Sequence, residues 1–484
     1  MIHDLKFMFL PAMKLCINLF CIKIKIIKRW YLYLITYGYK WSISYIYKIN
    51  HQISNTMNRR NFIGKAAIGA GALTIIPSRV MAGRGRIMPN DRINLGYIGV
   101  GKQSYGLLNS INGCPETIVL AACDVDSIKL NNFKSEAEKA NTKKLDGGTQ
   151  AVDTYENYRE LLERKDIDAV VIVTPDHWHA MIAVDSAKAG KDIYCEKPLA
   201  LTVAEGRAMV LSARKYNRVF QTGNMQRSWR NFRHACEMVR NGYIGDIRTI
   251  NVSVGDPHRA CELPPVETPD YLNWNLWVGP SLYRTYHPEL SPPIEDTKWA
   301  LWREYRGFGG GYITDWGAHM FDIAQWALGM DNSGPVEFMA PGPHAKRGMK
   351  MIYENGTEMY HKDWGEFNAV QFLGTEGKIE ISREFYRSDI NGLTEKEPGH
   401  GDTRLYKSEN HYQDWIDAVK KRTKPVSDVE IGHRTASLCN IVNIAYDLER
   451  PLKWSPVHER FIDDDGANDL LTRPFRGIWD FNDF

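Results

Sequence analysis

Short apolar runs alternate with helix-length segments over residues 92–223, and this alternation constrains the fold more than any other feature. The run at 168–173 is continuously apolar after its first residue, as expected of a parallel strand that is buried on both faces. Comparable runs lie at 92–100, 117–123, 192–195 and 218–222. The pattern predicts an α/β fold with a doubly wound parallel sheet. Ligands of such sheets bind at the carboxyl ends of the strands.

The first predicted strand runs into a turn that is rich in glycine. Gly99, Gly101 and Gly106 approach the G-x-G-x-x-G pattern, although Ser104 occupies its third position. Such a turn lets backbone N–H groups approach a pyrophosphate, and the following helix N-terminus favours its negative charge. Taken alone, the pattern also describes an ordinary strand–helix turn.

The second predicted strand ends at Asp124, about 20 positions beyond the glycines. A carboxylate there accepts hydrogen bonds from the adenosine ribose hydroxyls and repels a 2′-phosphate, which favours NAD over NADP. Asp126 is a nearby alternative for the same role. A plain strand-end aspartate is the competing interpretation.

Two more motifs follow later strands of the predicted sheet. The sequence Thr-Pro-Asp-His-Trp-His occupies 174–179, and Glu-Lys-Pro occupies 196–198. His177 and His179 have a spacing that can serve a metal, but no third ligand is evident, so no metal site is predicted. Their loop position favours contact with cofactor or substrate, and His179 is the stronger candidate of the two.

The formal net charge of +3 is an average over two different segments. Residues 1–82 hold twelve of the 61 basic residues and one of the 58 acidic residues. The remaining 49 basic and 57 acidic residues give 83–484 a net charge of −8. An acidic body argues against a nucleic-acid partner.

Residues 57–82 have the three-part plan of an export signal. The pair Arg59-Arg60 precedes a weakly hydrophobic core, and small residues end the segment at Ala82. This plan is typical of a twin-arginine signal and predicts export to the periplasm. We expect residues 1–56 to be upstream sequence or a disordered extension, with a membrane-associating segment as the alternative. We expect no stable membrane insertion of the mature chain.

Residues 224–484 are predicted to form a second α/β domain. A helix at 232–240 and a strand at 247–254 precede a long loop, 256–306, that is rich in Trp and Tyr. Its aromatic side chains suit stacking on a sugar, or packing on one another or on a partner subunit. Six cysteines lie in the body without a C-x-x-C pair, so neither a zinc framework nor a disulfide scaffold is predicted.

The ordered set of motifs over 91–484 resembles the Gfo/Idh/MocA oxidoreductases. The resemblance implies an N-terminal Rossmann domain over 91–223 and a C-terminal domain with a mixed open sheet over 224–484. It also implies a homo-oligomer, either a dimer or a tetramer. Besides the glycine turn, Thr-Pro…His and Glu-Lys-Pro, the motifs that carry it are Gly242-x-x-Gly245, Gly309-Gly310-Gly311, Asp315-Trp316-Gly317-Ala318-His319, the run at 372–377 and Pro425-Val426-Ser427-Asp428.

The resemblance also implies roles for individual residues. Lys197 would reach the reacting hydroxyl, and its bond to Pro198 is often cis in this family. Asp315 and His319 would form a catalytic pair, because residues i and i+4 share one face of a helix. A helix cap for Asp315 and a packing role for His319 are the competing interpretations. Arg227, which follows the last strand of the sheet, is a substrate contact or a solvated arginine, and Trp316 is a second candidate substrate contact. The implied cofactor contacts are Gly99, Gly101, Gly106, Asp124, Thr174, Pro175, His179, Glu196 and Lys197.

These features predict an exported, NAD-dependent oxidoreductase that acts on a sugar or polyol. A hydride would pass between a carbinol carbon and a tightly bound nicotinamide. One alternative is an NAD-dependent glycoside hydrolase or lyase that oxidises the sugar only transiently. Another is a non-catalytic sugar sensor on the same fold.

Overall fold

The computed structural model of the protein describes residues 91–477. The predicted extension at 1–56 and the predicted export signal at 57–82 lie outside the described residues. Within 91–477, no helix combines the length and the apolar character needed to cross a bilayer.

The first half of the described chain forms a six-stranded sheet in which every strand pair is parallel. The strand order is β3-β2-β1-β4-β5-β6, the doubly wound order that binds dinucleotides where the order reverses, beside β1. The predicted fold class is therefore confirmed. The strands are β1 Ile93–Ile98, β2 Thr117–Cys123, β3 Asp153–Tyr155, β4 Ala169–Ile172, β5 Asp192–Cys195 and β6 Phe220–Thr222.

Helices connect these strands and cover the sheet. The strands β2, β4 and β5 are buried along their whole length, which explains their continuous apolar sequences. The helix that follows β2 is capped by Asp126, whose carboxylate accepts hydrogen bonds from two main-chain N–H groups. The helices are α1 Lys102–Asn112, α2 Ser127–Lys144, α3 Tyr158–Glu163, α4 Asp176–Lys188 and α5 Val203–Lys215.

A nine-stranded mixed sheet forms the second half, in the order β13-β12-β11-β7-β10-β9-β8-β14-β15. Strands β7 and β10 are parallel, and the other neighbouring pairs are antiparallel. The strands are β7 Ile247–Ser253, β8 Glu337–Met339, β9 Met349–Ile352, β10 Glu358–His361, β11 Ala369–Gly374, β12 Lys378–Ile381, β13 Tyr386–Ser388, β14 Leu452–Ser455 and β15 Arg460–Phe461.

Three helices pack on this second sheet and share one hydrophobic core with it. The core includes Phe232 of the first helix, Phe321 of the second, Leu438 of the third and Phe372 of β11. The three are α6 Arg230–Arg240, α9 Gly317–Leu328 and α11 Val429–Leu448. The other helices of this half are α7 Trp274–Val278, α8 Tyr312–Asp315, α10 His411–Lys421 and α12 Asp465–Asn468.

The two sheets are joined by helices that come late in the chain. Trp415 of α10 is fully buried in the core of the first sheet, where its ring lies 5.6 Å from that of Tyr194. Helix α11 packs closely on α5, since a Cβ on Gly206 would lie 2.5 Å from Nδ1 of His433. These contacts fix α9, which lies beside α11, relative to the strand ends of the first sheet.

The aromatic loop at 256–306 packs largely on itself. Trp274 and Trp277 stack with ring centroids 4.4 Å apart and an interplanar angle of 14°. Tyr286, Trp302 and Phe308 complete the cluster. Self-packing, one of the three interpretations of its aromatic content, therefore applies to most of these side chains.

Candidate active site

A cavity of about 420 Å³ lies at the carboxyl ends of β1, β2, β4 and β5. Residues of α8, α9 and the turn between β12 and β13 close it from the second half of the chain. Its size is that of a small-molecule site. The predicted site residues that line it are Gly99, Gly101, Asp124, Thr174, Pro175, Glu196, Lys197, Asp315, Trp316 and His319.

The glycine turn after β1 brings the backbone close to the Thr-Pro turn after β4. Gly99 has φ +83°, and a Cβ there would lie 2.6 Å from the backbone nitrogen of Thr174. Gly101 precedes α1, whose first turn has no side-chain cap. Free N–H groups at a helix N-terminus that lines a cavity suit a phosphate group.

Asp124 is the carboxylate at this end of the cavity. Its Oδ2 accepts from the backbone N–H of Val100 at 2.7 Å, and its Oδ1 accepts from that of Asp126 at 2.9 Å. Burial raises its pKa, and the nearby Lys129 acts in the opposite direction. Asp126 does not line the cavity and instead pairs with Lys129 at 3.0 Å.

Lys197 and Asp315 meet at the other end of the cavity. The Lys197 ammonium donates to Oδ1 of Asp315 at 2.6 Å and to its main-chain oxygen at 3.1 Å. The Lys197–Pro198 peptide bond is cis. Burial opposes ionisation of Asp315, but Lys197 and Arg303 outweigh it and lower the pKa of that carboxyl. The Asp315 side chain is therefore a carboxylate at neutral pH.

Asp315 and His319 do not share one continuous helix, contrary to the sequence-based expectation. Helix α8 ends at Asp315, and α9 begins at Gly317. The N–H of His319 donates to Trp316 O at 2.9 Å, three residues back, and so leaves the Asp315 carbonyl to accept from Lys197. Both side chains nevertheless line the cavity.

His319 is a buried, neutral imidazole at the wall of the cavity. Burial, together with the charges of Lys197 and Arg383, lowers its pKa well below the ordinary value. The Arg383 guanidinium lies 3.2 Å from Nε2 of His319, and Nδ1 is buried without a hydrogen-bond partner. Because guanidinium can only donate, this contact assigns the ring proton to Nδ1 and the lone pair to Nε2.

Three ionisable residues close to Asp315 and His319 were not predicted from sequence. Asp176 begins α4, and burial and then the charge of Asp315 raise its pKa well above the ordinary value. Arg303 lies 3.9 Å from Asp315. Arg383 follows β12 and stacks on the ring of Trp316 at 4.7 Å. Asp176 stood inside the Thr-Pro motif and could have been found there, whereas both arginines lie in loops without a motif.

Gly106 and the two histidines of the 174–179 motif do not reach the cavity. Gly106 is exposed within α1. His179 has both ring nitrogens 2.9 Å from a main-chain oxygen, one of Pro198 and one of Thr174, and thereby ties the two functional turns together. His177 bonds to the main-chain oxygen of Trp277 at 2.9 Å. Over 91–477 no three His, Cys, Asp or Glu side chains are grouped so as to hold a metal.

Arg227 also lies away from the cavity, so the structure does not bring this candidate to the substrate. It is buried, and it forms two hydrogen bonds of 2.8 Å with Asp322 and one of 2.7 Å with Asp331. Its guanidinium lies 5.0 Å from the ring centroid of Trp326. A guanidinium with its carboxylates and an aromatic face all supplied internally has a structural role.

Comparison with known proteins finds relatives by sequence and solved structures that share the fold. A glycosyl hydrolase family 109 protein of Shewanella pealeana is 30% identical over 205 residues, or 40% of this chain and 44% of that relative, so the match spans less than half of its length. Myo-inositol 2-dehydrogenase of Thermotoga maritima is 22% identical over 356 residues, or 70% of this chain and 89% of the relative. The solved structure of the WlbA dehydrogenase from Bordetella pertussis, in complex with NADH and UDP-GlcNAcA, shares the fold with TM-score 0.54 and 16% identity over 75% of this chain and 99% of that chain.

Two family descriptions match consecutive parts of the chain. "Oxidoreductase family, NAD-binding Rossmann fold" matches residues 93–224, and "Oxidoreductase family, C-terminal alpha/beta domain" matches residues 258–481. These two matches confirm the prediction of an NAD(P)-dependent oxidoreductase. The chain belongs to the Gfo/Idh/MocA oxidoreductase family.

Proposed function

We propose that the protein is an exported, NAD-dependent oxidoreductase that transfers a hydride between a sugar or polyol carbinol and a tightly bound nicotinamide. The observation that carries the proposal is the Lys197–Asp315 pair, with its 2.6 Å contact, in one cavity with His319 and the glycine turn. An ammonium, a carboxylate and a neutral imidazole around one cavity are the groups that alcohol oxidation requires.

The cavity has the features that a dinucleotide requires. The cradle after β1 leaves no room for a Cβ at Gly99, and α1 presents free N–H groups beside it. Thr174 has a buried hydroxyl oxygen without a hydrogen-bond partner. We infer that the glycine turn and α1 hold the pyrophosphate, that Asp124 holds the adenosine ribose, and that Thr174, Pro175 and Glu196 lie toward the nicotinamide half.

The bound nicotinamide supplies a hydride acceptor or donor. Lys197 donates a hydrogen bond to the reacting hydroxyl and stabilises the negative charge that develops on its oxygen. His319 is neutral because burial lowers its pKa, and it accepts the hydroxyl proton at Nε2 when the Arg383 guanidinium releases that nitrogen to the substrate. Asp315 holds the Lys197 ammonium in place through its Oδ1 and its main-chain oxygen.

Aromatic side chains support a carbohydrate as the substrate. Trp299, Trp302, Tyr312 and Trp316 line the cavity, and sugar rings bury their C–H faces on such rings. The name of the Thermotoga maritima relative, a myo-inositol dehydrogenase, points to the same class of polyhydroxylated substrate.

A covered cofactor site supports retention of the nucleotide after export. The segment 290–304 lines the cavity from above α1. Lys102 of α1 donates to the main-chain oxygens of Asp296 and Lys298, and Lys129 donates to the Ser291 hydroxyl at 2.9 Å. A cofactor that stays bound suits a compartment without a pool of soluble NAD, and the signal-like sequence at 57–82 supports export. A homo-oligomer, dimer or tetramer, belongs to the same proposal.

A second candidate function is a glycoside hydrolase or lyase that oxidises the sugar transiently. The 30% identity to a glycosyl hydrolase family 109 protein favours it. One difference argues against it. The hydrolase branch carries a Thr-His-Gly stretch after its glycine cluster, whereas this chain has Thr314-Asp315-Trp316-Gly317 there. A non-catalytic sensor is disfavoured, because such a protein has no need of Lys197, Asp315 and His319 together.

The test uses protein that is expressed from Met57 and purified without added nucleotide. We expect NAD(H) to co-purify and expect sugars or polyols to change the absorbance near 340 nm in a single turnover. Release of aglycone from a glycoside without net absorbance change would instead support the hydrolase. Protein without bound nucleotide and without turnover would contradict both candidates.

A further inference from the structure

Arg383 brings a positive charge to the cavity without a carboxylate to balance it. No ion pair within 4.0 Å joins its guanidinium to any carboxylate of the described chain, whereas Arg473, which is also partly buried, pairs with Glu205, and the fully buried Arg227 pairs with Asp322 and Asp331. One Arg383 nitrogen contacts Nε2 of His319 at 3.2 Å, and its Nε is buried without a partner. The neighbouring Glu384 accepts from the Ser382 hydroxyl at 2.9 Å instead.

Two indole rings hold the guanidinium in position. Its carbon lies 4.7 Å from the ring centroid of Trp316 and 5.4 Å from that of Trp229. Stacking on aromatic faces leaves the N–H edge of a guanidinium available, and that edge matches a carboxylate in a bidentate geometry. Burial lowers the pKa of Arg383, but an arginine remains protonated at neutral pH.

Three carboxylates act on Arg383 electrostatically without forming an ion pair with it, those of Glu384, Glu196 and Asp315. Each has another partner: Glu384 accepts from the Ser382 hydroxyl, Glu196 accepts from the Tyr194 hydroxyl at 3.3 Å, and Asp315 pairs with Lys197 at 2.6 Å. A negatively charged group on a ligand would therefore supply Arg383 with an ion-pair partner.

We propose that the substrate is a sugar that carries a carboxylate, a uronate or an aldonate, and that Arg383 binds this carboxylate. The inference rests on the proposed function in one respect, that the reacting sugar occupies this cavity. Arg383 is then a specificity-determining residue, and Trp316 and Trp229 position it. Its contact with His319 places the bound carboxylate on the side of the cavity where the hydroxyl proton is accepted.

Affinity measurements on the nucleotide-loaded protein test the assignment independently of turnover. Calorimetric titrations compare glucuronate with glucose, galacturonate with galactose, and gluconate with sorbitol, with glucose 6-phosphate as a second kind of anion. We expect at least one carboxylate sugar to bind about ten-fold or more tightly than its neutral partner. Arg383→Gln should abolish that preference, and Arg383→Lys should retain part of it. Arg387→Gln is the matched control, because Arg387 lies on β13 outside the cavity lining and pairs with Glu366 and Glu380.

The outcomes separate this inference from the proposed function. Equal affinity for every carboxylate sugar and its neutral partner would overturn the inference, and so would a preference that survives in Arg383→Gln. Tighter binding of the 6-phosphate than of every carboxylate sugar would also overturn the assignment to a carboxylate. A uronate that binds through Arg383 but never changes the absorbance at 340 nm would support the inference and contradict the hydride transfer. Turnover of a neutral sugar, without any preference that depends on Arg383, would support the hydride transfer and contradict the inference.

Discussion

The Lys197 ammonium lies 2.6 Å from Oδ1 of Asp315, although 118 residues separate the two in the chain. Lys197 follows the end of β5 in the first sheet, and Asp315 ends α8 beside the second sheet. The pair therefore exists only when the two halves are docked. Its second contact, to the Asp315 main-chain oxygen, lies at the break between α8 and α9.

Replacement of Lys197 by Met should remove the group that stabilises charge on the reacting oxygen. We expect the rate of single turnover to fall about 10²- to 10⁴-fold, with NAD affinity changed by less than about three-fold. Lys165→Met is the control, because Lys165 is exposed and lies away from the cavity. Turnover at the wild-type rate in Lys197→Met would remove this residue from the mechanism.

The pH dependence of sugar oxidation should reflect the lowered pKa of His319. A base must be unprotonated to act. Burial, together with the charges of Lys197 and Arg383, lowers the pKa of His319 well below its ordinary value of 6.5, so the imidazole stays neutral at pH values well below 6.5. The value of kcat/KM should therefore stay level as the pH falls from about 8 to about 6, and should decline only at lower pH. Stopped-flow traces at 340 nm across this range give the profile. An acidic limb centred near pH 6.5 would contradict the neutral environment deduced for His319.

The sequence predicted the parts of the fold that repeat and missed the parts that depend on tertiary contacts. The long apolar strands and the glycine turn were found because their residue patterns are local. The strand β3 was missed because its three residues, Asp153–Tyr155, are polar and half exposed. The site residues at strand ends were found, since parallel strands deliver them to one edge.

Two kinds of site assignment were beyond sequence reasoning. In the sequence, Arg227 is a polar residue that follows a strand, which is also the position of a ligand contact. Only the folded chain shows that Asp322 and Asp331 bind its guanidinium. Arg383 lies in a β-turn without a motif, and its place at the cavity depends on how the second sheet docks on the first. Spacing alone also predicted one helix through Asp315 and His319, whereas the structure has two helices separated at Trp316.

Alanine substitutions at two glycines distinguish the cofactor turn from the helix that follows it. At Gly99 the positive φ and the 2.6 Å approach to Thr174 leave no room for a Cβ, so Gly99→Ala should weaken NAD binding by about ten-fold or more. At Gly106 no atom lies within 4 Å of an added Cβ, so Gly106→Ala should leave NAD affinity unchanged. It should also stabilise the protein by about 0.5–1 kcal/mol, because alanine favours a helix interior over glycine. Fluorescence titration with NADH measures the affinity, and urea unfolding measures the stability. Weaker NADH binding by Gly106→Ala would show that Gly106 does contribute to the cofactor site.

Acid should destabilise the contact between α5 and α11 through Glu430. Burial opposes ionisation of this carboxyl, but Arg207 outweighs it and lowers the pKa of Glu430 from 4.5 to about 2. A pKa that is lower in the folded state contributes stability above pH 4.5 and loses it as the pH falls toward 2. Glu430→Gln should therefore cost up to about 3 kcal/mol of unfolding free energy at pH 7 and much less near pH 3.

Urea unfolding at both pH values measures this difference. The control is Glu409→Gln, whose carboxylate pairs with Lys407 at the surface and is 77% exposed. An equal loss for Glu430→Gln at pH 7 and pH 3 would show that packing, and not the Arg207 contact, accounts for its effect.

Cofactor preference should depend on the Asp124 carboxylate. Its oxygens already accept from Val100 and Asp126 N–H groups, so the side chain is fixed at the cavity edge. A carboxylate there repels a 2′-phosphate, and we expect wild-type protein to bind NAD more tightly than NADP by about ten-fold or more. Asp124→Asn should narrow this ratio by weakening NAD binding and relieving the repulsion of NADP. Asp126→Asn is the matched control, because Asp126 caps α2 outside the cavity lining and asparagine caps a helix about as well as aspartate, so the ratio should stay unchanged. A ratio that shifts in the Asp126 variant and not in the Asp124 variant would transfer the ribose contact to Asp126.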